Sequence, residues 1–126
     1  MTNKETFTRL RAIFGFEKDK DYLAWVKSII PHYDCHHILG SFLGKKMTDY
    51  LVIPLSHKEH LEQAENHKAD YCIKHFNSSV ELLKRYAKQK YGLGVGVIPI
   101  EAETGLYEPH KVNELIKLIA EMKCQK

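Results

Sequence analysis

Residues 36–60 place the tightest local constraint on the chain: two short β-rich pieces, a glycine-bearing loop between them, and a helix start close behind. His36-His37-Ile38-Leu39 is the first piece, and Asp49-Tyr50-Leu51-Val52-Ile53, stopped by Pro54, is the second. Gly40 to Thr48 holds two glycines and the pair Lys45-Lys46, and reads as a long hairpin loop. Ser56-His57-Lys58-Glu59 is a capping box, with Ser56 as N-cap and Glu59 three residues on. A chain written this way makes a β-hairpin and feeds it directly into a helix.

The flanking sequence supplies the elements that cover this unit. The helix after Ser56 is expected to pass Leu61 and Ala64 and run toward about Phe76. Ser78, with Glu81 three residues on, then caps a second helix bearing Val80, Leu83, Tyr86 and Ala87, which Gly92 stops. Upstream, Tyr22, Trp25, Val26 and Ile29 recur at helical spacing from Asp19, and Pro31 ends that helix. Residues 1–16 fit a helix, through Phe7, Leu10 and Phe14, or an extended segment equally well. Downstream, Leu93 to Ile100 reads as a strand, Glu103-Thr104-Gly105 as a turn, and Pro109 as the first-turn proline of a last helix. Val112, Leu115, Ile116, Leu118 and Ile119 give that helix its buried face. The expected fold class is α+β, rich in helix. One domain spans residues 1–126, with a motif core at about 32–76 and a C-terminal strand–helix extension at about 92–126.

Composition narrows the classes of function. The 126 residues, 44% apolar, suffice for one core without covalent staples. Lys plus Arg total 19 against 16 Asp plus Glu, and the resulting +3 permits nucleic acid as a partner without requiring it. Cys35, Cys72 and Cys124 are odd in number and contain no CxxC pair, which argues against a disulfide framework and a four-cysteine zinc site. No apolar run approaches the roughly eighteen residues of a membrane span, and Met1-Thr2-Asn3-Lys4 opens no signal peptide. A cytoplasmic protein with no membrane partner is expected, in which the Asn77-Ser78-Ser79 sequon has no meaning.

Seven of the eight histidines fall between His32 and His75, and the chemistry is sought there. His36 and His37 are adjacent on one strand, so their side chains leave opposite faces of the pleat. Asp49 begins the returning strand, and His60 projects from the first turn of the helix capped by Ser56. A hairpin packed on such a helix can bring His36, Asp49 and His60 into one small volume. Two imidazoles, a nearby carboxylate and open positions for water suit a hydrolytic divalent-metal site.

The stretch from Ala24-Trp25-Val26 and Pro31, through Cys35-His36-His37-Ile38, Gly44-Lys45, Asp49-Tyr50 and Val52-Ile53-Pro54-Leu55 to His60, resembles the ββα-metal, or HNH, endonuclease superfamily. It is most similar to small prophage-borne HNH-like nucleases associated with recombination, over about half the chain, roughly Tyr22 to Tyr91. The resemblance implies a ββα-metal core and metal-dependent hydrolysis of phosphodiester bonds in DNA, in phage or prophage recombination or DNA processing. It puts His36 and His60 at the metal-ligand positions, His37 at the general-base position, and Asp49 where the family usually has an Asn that supports the loop or orients the base. One divalent ion (Mg, Mn, Zn or Ni) would stabilise charge on the scissile phosphate.

The chain also departs from that pattern. Relatives brace the hairpin with a structural zinc; here the upstream cysteine pair is missing, and Ser56 and Glu59 stand at the downstream ligand places, so no structural zinc is expected. Ala64 replaces a further helical histidine. His57, one turn before His60, is a third ligand, a phosphate contact or a solvent-exposed residue.

Blander readings stand beside each of these. His36-His37 taken alone is a strand pair with one buried ring, and Asp49 alone is a loop cap. His67 and His75 are expected on helix surfaces, His32 and His110 in turns beside prolines, and Cys35 in the core. Lys45 and Lys46 are phosphate contacts or solvated loop residues, as are Lys84, Arg85, Lys88 and Lys90 on their helix. Gly92-Leu93-Gly94-Val95-Gly96 follows a helix and leads into a strand, the reverse of a phosphate-binding loop. Three functions remain: an endonuclease; a non-catalytic nucleic-acid-binding or protein-interaction module on a degenerate HNH fold; or a metal-free helical adaptor with incidental histidines, which requires that the protein bind neither metal nor nucleic acid. The C-terminal third completes the core or forms a homodimer surface.

Overall fold

The computed structural model describes residues 1–125, without the side chains of residues 63–66. The fold is α+β: five helices and two small antiparallel strand pairs among the described residues. Residues 1–16, open between two states in the sequence, form α1 (Asn3–Ile13), started by a second capping box in which Thr2 and Glu5 satisfy each other's backbone N–H groups. α2 (Lys20–Ile29) begins at Asp19, whose carboxylate accepts the Tyr22 N–H.

Strands β1 (Asp34–His37) and β4 (Val52–Leu55) pair antiparallel, with His36 opposite Ile53 and His37 opposite Val52. Both lie two or three residues from the expected pieces. Ile38 and Leu39 belong to a turn closed by Gly40 N–H on the His37 carbonyl, and Asp49 and Tyr50 to another. Pro54 does not stop the strand but sits inside it, opposite Cys35. The ladder bond from Ile38 N–H to the Leu51 carbonyl makes 38–51 and 36–53 the hydrogen-bonded pairs. Position 54 therefore turns its nitrogen outward, where proline loses nothing. The loop between the strands is itself structured: β2 (Ser41–Phe42) and β3 (Lys45–Lys46) form a miniature hairpin.

α3 (His57–Asn66) starts at the Ser56 box, as expected. It ends at His67 rather than near Phe76, and α4 (Lys68–Tyr91) runs through Ser78 without a break. Phe76, Ser79, Val80 and Leu83 are buried on one side of α4, and Ser79 Oγ donates to the Phe76 carbonyl, so packing overrides the expected cap. Gly92 closes α4 in the left-handed region at φ +66°. Leu93 to Ile100 is not a strand. It runs without a ladder partner except for an isolated bridge from Ile100 to Tyr107, and its glycines disfavour sheet. α5 (Pro109–Cys124) carries Pro109 in its first turn and buries Val112, Leu115, Ile116 and Ile119, whereas Leu118 is exposed. His110 lies within α5, not in a turn, and His75 is half-buried on α4.

α4, about 36 Å long at 1.5 Å per residue, is the spine of the domain. α1, α2, α3, α5 and β4 all pack on it, around Leu10, Tyr22, Val26, Phe76, Leu83 and Ile116. No helix of the described residues is long and apolar enough to cross a membrane. Ser56 is the brace between β4 and α3. Ser56→Ala is expected to lower stability by about 1 kcal/mol, read as a lower urea midpoint at unchanged slope.

Candidate functional site

β1 and the first turn of α3 bring four ionisable side chains together. Asp34 and His36 are two apart on β1 and leave the same face of the pleat. His57 and His60 are three apart on α3 and share one helix face. The two faces meet at Asp34, whose Oδ2 lies 3.3 Å from Nδ1 of His57 and 3.3 Å from Nδ1 of His60. Hydrogen bonds from His57 and then His60 hold the Asp34 carboxyl below its ordinary range. His36 faces His60 with ring centres 5.1 Å apart in an edge-on arrangement. Burial, and next the neighbouring His60, push His36 down to about 4, so its imidazole is neutral at neutral pH.

His37 leaves the other face and meets Asp49. Its Nε2 is 2.7 Å from Asp49 Oδ1, and both side chains are nearly fully buried. A carboxylate only accepts, so Nε2 carries the hydrogen and Nδ1 keeps the open lone pair of the neutral ring. Burial lowers the His37 pKa, against the opposing pull of the Asp49 hydrogen bond.

Asp49 is not held by the β1–β4 ladder. Its N–H donates to the Glu17 carbonyl, and its Oδ2 accepts the Asp19 N–H at 2.8 Å. Asp19 is itself fully buried. Its carboxylate accepts the Tyr22 N–H and the Tyr50 hydroxyl, and it lies 3.3 Å from Nζ of Lys123 on α5. The N-terminal segment and the last helix thus position the acid beside His37.

A cleft of 500 Å³ opens over this region, lined by Lys20, Lys27, Asp34, His37, Lys46 and His60 among others. His36, His37, Ser41, Lys46 and His60 also line a smaller recess of 110 Å³. A larger groove of 740 Å³, along β4 and α4, contains none of His36, His37, Asp49 and His60.

The structure pairs His36 with His60 and Asp49 with His37, so Asp49 meets the second ring of the dipeptide rather than sharing one volume with His36 and His60. It seats His57, 77% exposed, on the Asp34 carboxylate. Lys45 and Lys46 are exposed on the β2–β3 hairpin. Lys84, Arg85, Lys88 and Lys90 lie on α4, and none of them lines either opening beside His36 and His37. Cys35 is half-buried against the core. The Ala64 position lies among residues whose side chains are not described.

Asp34, Asp19, Lys20 and Lys27 escaped the sequence reading. Asp34 had a signal, the two-residue spacing to His36 on a strand; the other three had none.

The donor set bears on a metal in two ways. Imidazoles that share one ion through bonds of about 2.0–2.1 Å have ring centres about 5 Å apart, the separation of His36 and His60. The bond from His60 Nδ1 to Asp34 fixes that ring and leaves Nε2 as its ligating atom, the carboxylate–histidine arrangement of many metal sites. Among the described residues, however, no three His, Cys, Asp or Glu side chains are arranged to hold a single ion. The set fits an ion held by two imidazoles, with its other positions open to water or substrate.

No protein-family model matches the chain, and no curated protein or solved structure does either.

Proposed function

We propose that this protein is a metal-dependent endonuclease of the ββα-metal type that hydrolyses phosphodiester bonds in DNA. The observation that carries this reading is the buried His37–Asp49 pair together with the facing imidazoles of His36 and His60, His37 and His60 both lining one lysine-walled cleft. The hairpin strands β1 and β4 leading into α3 give the order of elements that such a core requires. A role in phage or prophage DNA processing belongs to the same proposal and rests on the sequence resemblance alone.

In this reading each residue has one task. His37, oriented by Asp49 and kept neutral by burial, takes a proton from the attacking water at Nδ1. His36 and His60 hold a divalent ion, and Asp34 orients His60. The bound ion supplies charge stabilisation at the scissile phosphate and the leaving oxygen. Lys20, Lys27 and Lys46 receive the flanking phosphates.

The test is cleavage of single-stranded and duplex DNA with Mg²⁺, Mn²⁺, Zn²⁺ or Ni²⁺, each with and without EDTA, alongside calorimetric metal titration. Cutting is expected only with metal. His36→Ala and His60→Ala are expected to lose both metal binding and cutting, and Asp34→Asn to bind metal about 10–100-fold more weakly. A second reading, a non-catalytic nucleic-acid-binding module, is favoured by the absence of a three-ligand group among the described residues. Salt-dependent DNA binding without cutting under any of these metals would select it.

A further inference from the structure

The β2–β3 hairpin has an unusual tip. Its two-residue turn is Leu43-Gly44, with φ +52° and +80°, the paired positive values of a type I′ turn. Asn, Asp or Gly is the usual first residue of such a turn, and a bulky side chain there is strained. Leu43 is nevertheless the residue present, and it is 87% exposed. Its conformation is strained and its side chain gains nothing by burial within this chain.

The hairpin beneath it is firmly seated. Arg11 of α1 donates to the Ser41 carbonyl and lies 5.2 Å from the centre of the Phe42 ring, while Lys18 Nζ donates to the Lys46 carbonyl at 2.8 Å. Lys45 and Lys46 are exposed on its returning strand, and Lys46 also lines both openings at His37 and His60. An apolar point thus projects from a cationic mount, tied to α1 by Arg11 and to Lys18, whose base is the candidate site. The charge around the point matches a polyanion, and a hairpin already tethered by Arg11 and Lys18 has less to order on binding.

We propose that Leu43 is a wedge that enters a base step of duplex DNA, partly unstacks it and holds the strand over the His36–His37 cleft. This rests on the nuclease reading for the nature of the ligand and extends it to a substrate form: continuous duplex, opened locally. From Lys46 to the tip is two strand steps, about 7 Å at strand rise, so the opened step lies about two base pairs from the phosphate at the cleft.

Unwinding by a wedge is measured without cleavage. Closed circular plasmid is relaxed by a metal-independent topoisomerase in EDTA, with and without saturating protein, and its linking number is read on a gel. Wild type is expected to lower the linking number. Leu43→Asn, which suits the turn and keeps the hairpin folded, is expected to bind without lowering it, and Leu43→Met to behave as wild type. In metal-dependent cleavage, Leu43→Asn is expected to lose about tenfold or more on intact duplex and to recover on duplex carrying a bulge.

Equal unwinding by wild type and Leu43→Asn overturns the wedge, as does DNA binding by wild type with no change of linking number. Loss of a dimer in Leu43→Asn, with plasmid topology unchanged, overturns it in favour of a contact between copies of this chain. Unwinding that depends on Leu43 but is followed by no cutting under any metal upholds the wedge and refutes the nuclease.

Discussion

His37→Ala is expected to abolish metal-dependent cleavage, by about 10²–10⁴-fold, while metal binding by His36 and His60 stays near the wild-type level. The separation follows from the two faces of β1. His36 meets His60, whereas His37 meets only the Asp49 carboxylate, so removing the second ring takes away a proton acceptor and leaves the facing imidazoles in place. The deletion also leaves Asp49 buried beside a cavity, which costs stability. His37→Gln fills that space without a titratable ring and separates the two effects. Single-turnover cleavage beside a calorimetric metal titration checks both. Retained cleavage in both variants would remove His37 from the chemistry.

Asp49→Asn is expected to be nearly as severe, about 10²–10⁴-fold in rate, for a reason specific to this site. Oδ2 of Asp49 accepts the Asp19 backbone N–H, and Oδ1 accepts from His37 Nε2. An amide has a single acceptor oxygen. If that oxygen stays on the Asp19 N–H, the NH₂ group turns to His37 and requires a lone pair on Nε2. The hydrogen then moves to Nδ1 and the base is lost. If the amide flips, two donors face each other at Asp19, inside the core. The first arrangement is the cheaper one, so the variant is expected to fold, bind DNA and metal, and fail in the proton-transfer step. NMR of the His37 ring nitrogens reads the change of tautomer directly. An unchanged tautomer with full activity would reduce Asp49 to a loop cap.

Much of the site was legible because strand and helix periodicities are local. The Ser56 box fixed where α3 starts, and that start placed His60 against β1. The alternation of a single dipeptide separated the two rings and left His36 to meet His60, whereas the contact of Asp49 with His37, rather than with His36, was not legible from it. What was hidden arises from contacts distant in sequence. The break at His67 carries no glycine or proline, and the continuity of α4 through Ser78 is set by the core around Phe76 and Leu83. The strand expected over 93–100 lacks a partner, a property of the whole fold rather than of the segment. The placement of Asp49 depends on backbone bonds to residues 17 and 19, for which side-chain identity gives no sign.

The ion pair between Lys123 and Asp19 sets an order of events during synthesis. Asp34, His36, His37, His57 and His60 lie within one short stretch, and the loops that join them close early and at little entropic cost. Asp19, which fixes Asp49 through its N–H, acquires the Lys123 cation only when α5 has been translated, some seconds later at about 5–20 residues per second. A chain still on the ribosome can therefore have its histidines assembled and Asp49 bonded to the Asp19 N–H while the Asp19 carboxylate still lacks its cation.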